Sequence, residues 1–305
     1  MIERKDFLSL LERRILLSDG AMGTMLLRGT NVRCPDILNL DKDGIKRVIN
    51  VHIAYLEAGS DIIQTNTFSS NPSKLQSCGL DSELELINKN AVMAAKEAIS
   101  IYFKDRERDK SDKTIFVAGN IGPTGKLLEP FGPLTHAETV DIFAKQIEVL
   151  LLSGVDLILI ETMMDLNEAL AGIEAARKIS DKIPVLCTMT FGENGVTMMG
   201  NKAEDVIRPL LEAGCDVAGA NCSLGSDKML EIVAKMRSSN PEAKLMFQPN
   251  AGLPILRDGE TFYSETPEFM ASNIKKYLPY KPSILGACCG STPEHIRRIS
   301  EVIEK

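Results

Sequence analysis

The sequence is poor in the residues that many active sites depend on. Only three histidines occur in 305 residues. His52 lies on a helical pattern, His136 at a loop–helix start and His295 in the first turn of the last helical segment. None falls at the end of a strand-like run, so all three read as structural. That argues against a histidine-dependent triad and against a His-ligated metal. No strand-like run ends in lysine, so a Schiff-base aldolase would lack its nucleophile. A Walker loop, a G-x-G-x-x-G after the first strand and a nucleophile elbow are all missing. No apolar run reaches 18 residues, which excludes a membrane-spanning helix. The start, Met1-Ile2-Glu3-Arg4-Lys5-Asp6, is too charged for a signal peptide, so the expected compartment is the cytoplasm. Basic charge is also short: 35 Lys plus Arg against 42 Asp plus Glu leave a net charge of −7. A general nucleic-acid or anionic-membrane binder would need a basic face.

What the chain does have is alternation. Strand-like runs occupy 15–18, 61–68, 114–119, 155–162, 184–190, 217–222, 244–248 and 283–288. Most are short and apolar on both faces, as buried parallel strands are. Helical spacing fills the gaps, as in Ile45, Val48, Ile49, His52, Ile53 and Leu56, in Phe143, Ile147, Leu150 and Leu151, and in Val206, Ile207, Leu210 and Leu211. These three helices end at Gly59, Gly154 and Gly214, in similar junctions: Ala-Gly-Ser-Asp at 58–61, Ser-Gly-Val-Asp at 153–156 and Ala-Gly-Cys-Asp at 213–216. One helix-to-strand turn is being reused. Eight strands alternating with helices predict a single (β/α)8 TIM barrel, with residues 1–305 as one domain. The charged segment 105–113 reads as a turn, and the Gly- and Pro-rich stretches 121–135 and 249–265 as rim loops.

In such a barrel the active site lies at the carboxyl ends of the strands. Three of the seven cysteines fall there: Cys222 after the sixth strand, and Cys288 and Cys289 after the eighth. Two readings stay open on spacing alone. The three thiolates hold one zinc and leave a fourth position free, or they are small buried apolar residues. Neighbouring residues on a strand point to opposite faces, so Cys288 and Cys289 can share an ion only if the chain turns there; Gly286 and Gly290 flank the pair. Cys34, Cys78, Cys187 and Cys215 read as structural. Two carboxylates reach the same rim: Asp19, before a Gly-rich turn, and Glu161, at the end of Leu157-Ile158-Leu159-Ile160. A carboxylate buried there needs a partner: a substrate cation, or else a salt bridge to a neighbouring Lys or Arg, or a cap. The turn Gly20–Thr24 offers N–H groups to an anion.

These residues resemble the homocysteine S-methyltransferases, in particular the homocysteine-binding domain of cobalamin-dependent methionine synthase. The resemblance runs from about Ile15 to the C-terminus. It rests on Asp19-Gly20-Ala21-Met22-Gly23-Thr24, Thr65-Asn66-Thr67-Phe68, Gly119-Asn120-Ile121-Gly122-Pro123-Thr124-Gly125, Glu161-Thr162, Asn221-Cys222-Ser223-Leu224-Gly225, Pro249-Asn250-Ala251-Gly252 and Gly286-Ala287-Cys288-Cys289-Gly290. It implies zinc on Cys222, Cys288 and Cys289. It implies a homocysteine pocket built from Asp19, Gly20, Ala21, Thr24, Thr67, Glu161, Asn221 and Asn250, with Asn250 similar to an oxygen donor to zinc. The implied reaction is methyl transfer to the homocysteine thiol, activated as a zinc thiolate, to give methionine. The expected donor is methylcobalamin on a corrinoid protein or on further domains of a longer enzyme. S-methylmethionine, S-adenosylmethionine or betaine are the alternatives. A demethylating direction, or a non-catalytic homocysteine- and zinc-binding subunit, are further readings.

Overall fold

Each of the eight apolar runs contains a parallel strand in the computed structural model, which describes residues 2–27, 34–104, 113–257 and 260–304. The strands are β1 (Leu16–Leu17), β2 (Ile62–Gln64), β3 (Phe116–Ile121), β4 (Leu157–Met163), β5 (Val185–Met189), β6 (Val217–Gly225), β7 (Leu245–Asn250) and, last in the barrel, β10 (Ile284–Leu285). They line up as β1-β10-β7-β6-β5-β4-β3-β2. A parallel bridge from Ser18 to Ile62 joins the two ends and closes the barrel. The helices around it are α1 (Arg4–Arg13), α2 (Gly23–Leu27), α3 (Lys42–Glu57), α4 (Pro72–Ser77), α5 (Leu84–Lys104), α6 (His136–Ser153), α7 (Leu166–Ile179), α8 (Ala203–Glu212), α9 (Ser226–Ser239), α10 (Pro267–Ile274) and α11 (Pro293–Ile303). None of the described helices is long and apolar enough to cross a membrane. The expected charged turn at 105–113 lies outside the described residues, apart from Lys113.

The period of two along each strand sorts its side chains into two cores. Outward residues such as Ile63, Val117, Ile158, Ala218 and Phe247 pack with the helices. Inward residues Leu16, Ile62, Phe116, Ala118, Leu157, Leu159, Leu186, Val217, Met246 and Ile284 form a separate inner core. Helix α1 plugs its lower end with Phe7, whose ring meets Phe116 edge-on at 5.6 Å. One or two steps further along, the inward positions turn polar. Ser18, Gln64, Asn120, Glu161, Thr188, Asn221 and Gln248 are all buried there. The barrel is therefore apolar below and hydrogen-bonding above, which places the chemistry at the carboxyl ends.

The repeated helix-to-strand junction has a structural reason. Asp61, Asp156 and Asp216 each bracket the preceding strand. Their backbone N–H groups donate to the carbonyls of Leu17, Val117 and Val185. Their carboxylates accept the N–H of those same three residues, at 2.9 Å each. The glycines before them take φ of +111°, +84° and +105° to turn the chain out of the helix.

Within the expected rim loop 249–265, the described residues include two paired strands. Strands β8 (Pro254–Arg257) and β9 (Glu260–Tyr263) pair antiparallel as a hairpin on the rim.

Candidate metal and substrate site

The sixth strand breaks its register to present Cys222. Strand β6 pairs with β7 as far as Asn221–Gln248 and resumes at Gly225–Asn250, so β6 carries two extra residues. Cys222 and Ser223 absorb them with φ of +60° and +57°, in the left-handed region that side chains avoid. On the other side, β10 stops at Leu285 and the chain turns, as the paired cysteines require. Gly290 closes that turn at φ +80°, with the ring of Tyr263 from β9 packed against it. The turn is tied down on every side. Cys288 N–H donates to the carbonyl of Pro249, Ala251 N–H to that of Cys289, and Gly290 N–H to Thr24 Oγ1. Ser291 Oγ donates to the carbonyl of Cys288 and accepts Ala21 N–H.

These constraints bring the three sulfurs together. Cys222 Sγ lies 3.8 Å from Cys289 Sγ, Cys288 Sγ lies 3.9 Å from Cys289 Sγ, and all three fall within 4.8 Å of one another. A tetrahedral zinc with Zn–S bonds of about 2.3 Å spaces its sulfurs about 3.8 Å apart. The donor set thus fits zinc in both softness and spacing. Cys222 is the thiol most ready to ionise, because Cys288 and Cys289 hydrogen-bond to its sulfur; the same hydrogen bonds push Cys288 up. Asn250 also hydrogen-bonds Cys222, and its buried Oδ1 has no partner. That leftover oxygen beside the thiols suits a hard donor to the same ion.

Beside the thiols sit the two carboxylates. Glu161 is clamped by two amides: Asn120 Nδ2 donates to Oε1 at 2.8 Å and Asn221 Nδ2 to Oε2 at 2.9 Å. Burial nevertheless raises its carboxyl to about 7. Asp19 accepts Gln64 N–H at 2.8 Å and is likewise raised by burial, with Glu161 adding repulsion. Among the described residues, no lysine, arginine or histidine pairs with either. Of the readings open in the sequence, the internal salt bridge is therefore not built among the described residues.

The remaining expected site residues are close by, but several are committed to the scaffold. The Asn221 side chain is saturated: its Oδ1 accepts Thr162 N–H and the Thr188 hydroxyl, while its Nδ2 serves Glu161 and Thr162. The Thr67 hydroxyl donates to the carbonyl of Asn120. Ala21 N–H and Thr24 Oγ1 hold the cysteine turn, which leaves less of the Gly20–Thr24 turn for an anion than its sequence suggests. Gly20 faces Ser291 and Tyr55, with no room for a Cβ. The four other cysteines stay apart from the site, Cys187 and Cys215 buried and Cys78 exposed. His295 caps α11 with Thr292 and places Nε2 3.0 Å from the carbonyl of Glu265, while His136 pairs with Glu174 on the surface. Two contributors were missed. Asn120 clamps Glu161 and stands, visibly, at the polar end of an apolar run. Tyr263 sits on β9, and the sequence signal for that pairing was Asp-Gly at 258–259 between two short runs with apolar residues, Ile255-Leu256 and Phe262-Tyr263.

A groove of about 430 Å³ opens beside Cys222, lined among others by Met164, Phe191, Met198, Leu224 and Leu253. A second cleft of similar size lies at the opposite end of the barrel, around Arg14, Asp61 and Lys113, and shares none of these residues.

Comparison with known proteins gives the family and the fold. Residues 16–303 match the family model for homocysteine S-methyltransferase. Methionine synthase of Mycobacterium tuberculosis is 30% identical over 98% of the chain, and that of Mycobacterium leprae 29% over 98%. The chain spans about a quarter of the length of these curated relatives (25% of each). Among solved structures, the metallated homocysteine methyltransferase MmuM from Escherichia coli shares the fold, with a TM-score of 0.79 and 21% identity over 96% of this chain and 98% of that one. The apo form of the same enzyme gives 0.71, with 20% identity over 96% and 97%. The chain belongs to the homocysteine S-methyltransferase family.

Proposed function

We propose that this barrel, residues 1–305 as one domain, transfers a methyl group to the thiol of L-homocysteine to give L-methionine. The observation that carries the reading is the juxtaposition of three clustered thiols with two buried carboxylates that have no cation. Cys222, Cys288 and Cys289 would hold zinc, with Asn250 as a fourth donor. Bound there, zinc would lower the pKa of a substrate thiol and orient its sulfur. Asp19 and Glu161 receive the substrate ammonium and gain the counter-charge that the chain does not supply. Asn120 and Asn221 hold Glu161 in place for that contact. No protein base is required, which agrees with a rim that carries no histidine. Three reduced thiols need a reducing compartment, so the work belongs in the cytoplasm.

The donor is a methylated corrinoid on a partner protein or on further domains. Two observations support this. The relatives are four times longer than the chain, and large apolar residues stand exposed on the rim loops: Phe131 at 72%, Met198 at 77% and Leu256 at 74%. The test is to purify the chain reduced, count zinc, and supply homocysteine with methylcobalamin. One zinc per chain and methionine formation are expected, and Cys222→Ala should lose both while keeping its circular dichroism. Active, zinc-replete Cys222→Ala would overturn the reading. Turnover only with S-methylmethionine, S-adenosylmethionine or betaine would replace the donor, and binding without any turnover would make the chain a sensor.

A further inference from the structure

The polar layer of the barrel has an acceptor to spare beside Glu161, apart from the Asn250 oxygen near the thiols. Asn120 ends an apolar strand with its side chain inward, only 6% of the residue exposed. Its Nδ2 donates to Glu161 Oε1 at 2.8 Å and approaches Gln64 Oε1 at 3.3 Å. Those two contacts fix the amide's orientation, because a flip would set the carbonyl oxygen against a carboxylate oxygen. The backbone of Asn120 is also fully used: its N–H donates to Thr65 Oγ1 and its carbonyl accepts the Thr67 hydroxyl. What is left is Oδ1, buried and without a hydrogen-bond partner. A buried acceptor left unpaired costs about as much as a lost hydrogen bond, so a position like this is kept where something arrives to satisfy it.

We propose that Asn120 is a specificity-determining residue for the substrate ammonium: Nδ2 positions Glu161, and Oδ1 itself accepts one ammonium N–H. This rests on the reading of the pocket as an amino-acid site and deepens it. An ammonium has three donors and no acceptor. Asp19 and Glu161 offer charge to two of them, and Asn120 Oδ1 is a neutral acceptor for the third. A neutral third acceptor suits the site better than another carboxylate, which would add repulsion to a pair already repelling each other. The arrangement selects an α-amino thiol over a thiol acid of the same length.

The experiment uses reduced, zinc-loaded protein and calorimetric titration with two probes. One is L-homocysteine; the other is 4-sulfanylbutanoate, the same molecule without its amino group. Asn120→Ala should weaken homocysteine by about 10- to 100-fold, the range of a hydrogen bond to a charged group, and leave 4-sulfanylbutanoate within about twofold. Asn120→Ser is the second variant where alanine impairs folding. The same substitution is then made on Glu161→Gln. A loss that persists there shows Oδ1 acting directly; a loss that disappears shows Asn120 acting only through Glu161 and overturns the acceptor role. Equal weakening of both probes, or of neither, overturns the proposal while the functional reading stands. Wild-type protein that binds both probes equally, or does not bind homocysteine, overturns the functional reading and this inference with it.

Discussion

Glu161→Gln should make the zinc-free barrel more stable at pH 8 and worse at binding its substrate. The folded chain holds the Glu161 proton up to about pH 7, against 4.5 for an ordinary glutamate, because the carboxyl is buried. Between those values the folded state binds more protons than the unfolded state, so stability falls as pH rises, and the deficit is complete above pH 7. At about 1.4 kcal/mol per pH unit the full deficit is about 3 kcal/mol. Glutamine never ionises and escapes it. It also offers one acceptor where the carboxylate offers two, so one of the clamps from Asn120 and Asn221 is lost, at about 1 kcal/mol. The variant should therefore be level with wild type, or slightly weaker, near pH 5 and about 2 kcal/mol more stable at pH 8. Urea unfolding of both proteins at the two pH values, zinc-free and reduced, measures this. The difference between variant and wild type must widen by about 2 to 3 kcal/mol across that interval. A difference independent of pH would refute the argument, since desolvation of the Glu161 charge is its main source, with repulsion from Cys222 adding to it. Calorimetry on the zinc-loaded forms should show the converse, weaker homocysteine binding in the variant.

Two further substitutions test the frame. Gly290→Ala places a Cβ 2.1 Å from Tyr263 Cγ at a φ of +80°, so it should cost more than about 2 kcal/mol in urea unfolding and weaken zinc binding. Adding Tyr263→Ala should recover only the part of the steric cost that comes from the ring, because Tyr263 Cβ would itself stand 2.5 Å from the new Cβ; the backbone strain stays. Asp216→Ala at the other end strips Arg177 and Arg4 of their carboxylate and Val185 N–H of its acceptor, an expected loss of about 3–5 kcal/mol with zinc content unchanged.

The barrel was legible because a parallel strand buried on both faces leaves a signal that does not depend on its neighbours: a short apolar run followed by polar residues. The three cysteines and two carboxylates were legible for the same reason, since they stand where apolar runs end. What escaped was relational. Nothing local says that Cys222 and Ser223 take left-handed backbone; that follows from β6 carrying two more residues than β7 between shared pairings. The Gly20–Thr24 turn looks like an anion cradle alone, yet Ala21 and Thr24 are bound to the cysteine turn some 270 residues away (266 and 270 in sequence). Asn120 reads as one polar strand end among several until Glu161 is seen beside it. The pairing of β8 with β9 was hidden by counting the glycine and proline of the stretch rather than the Asp-Gly step between two apolar pairs.

The same side chain does opposite work at the two ends of the barrel, and its partners decide which. Asp61, Asp156 and Asp216 at the amino end each accept a strand N–H, and Asp61 and Asp216 also meet arginine. Each is a closed contact that ties one strand to the next and asks nothing of solvent. Asp19 and Glu161 at the carboxyl end accept amide and hydroxyl hydrogens but meet no cation among the described residues, and burial raises both. Their cost is not recovered within the chain. A zinc on three thiolates would carry a formal charge of −1 and deepen the same deficit. The proposed substrate would relieve it: its ammonium would supply the missing cation to Asp19 and Glu161, and its thiol would reach toward the three sulfurs. On that reading the pocket is least stable empty, and the charge that makes it so would select its occupant.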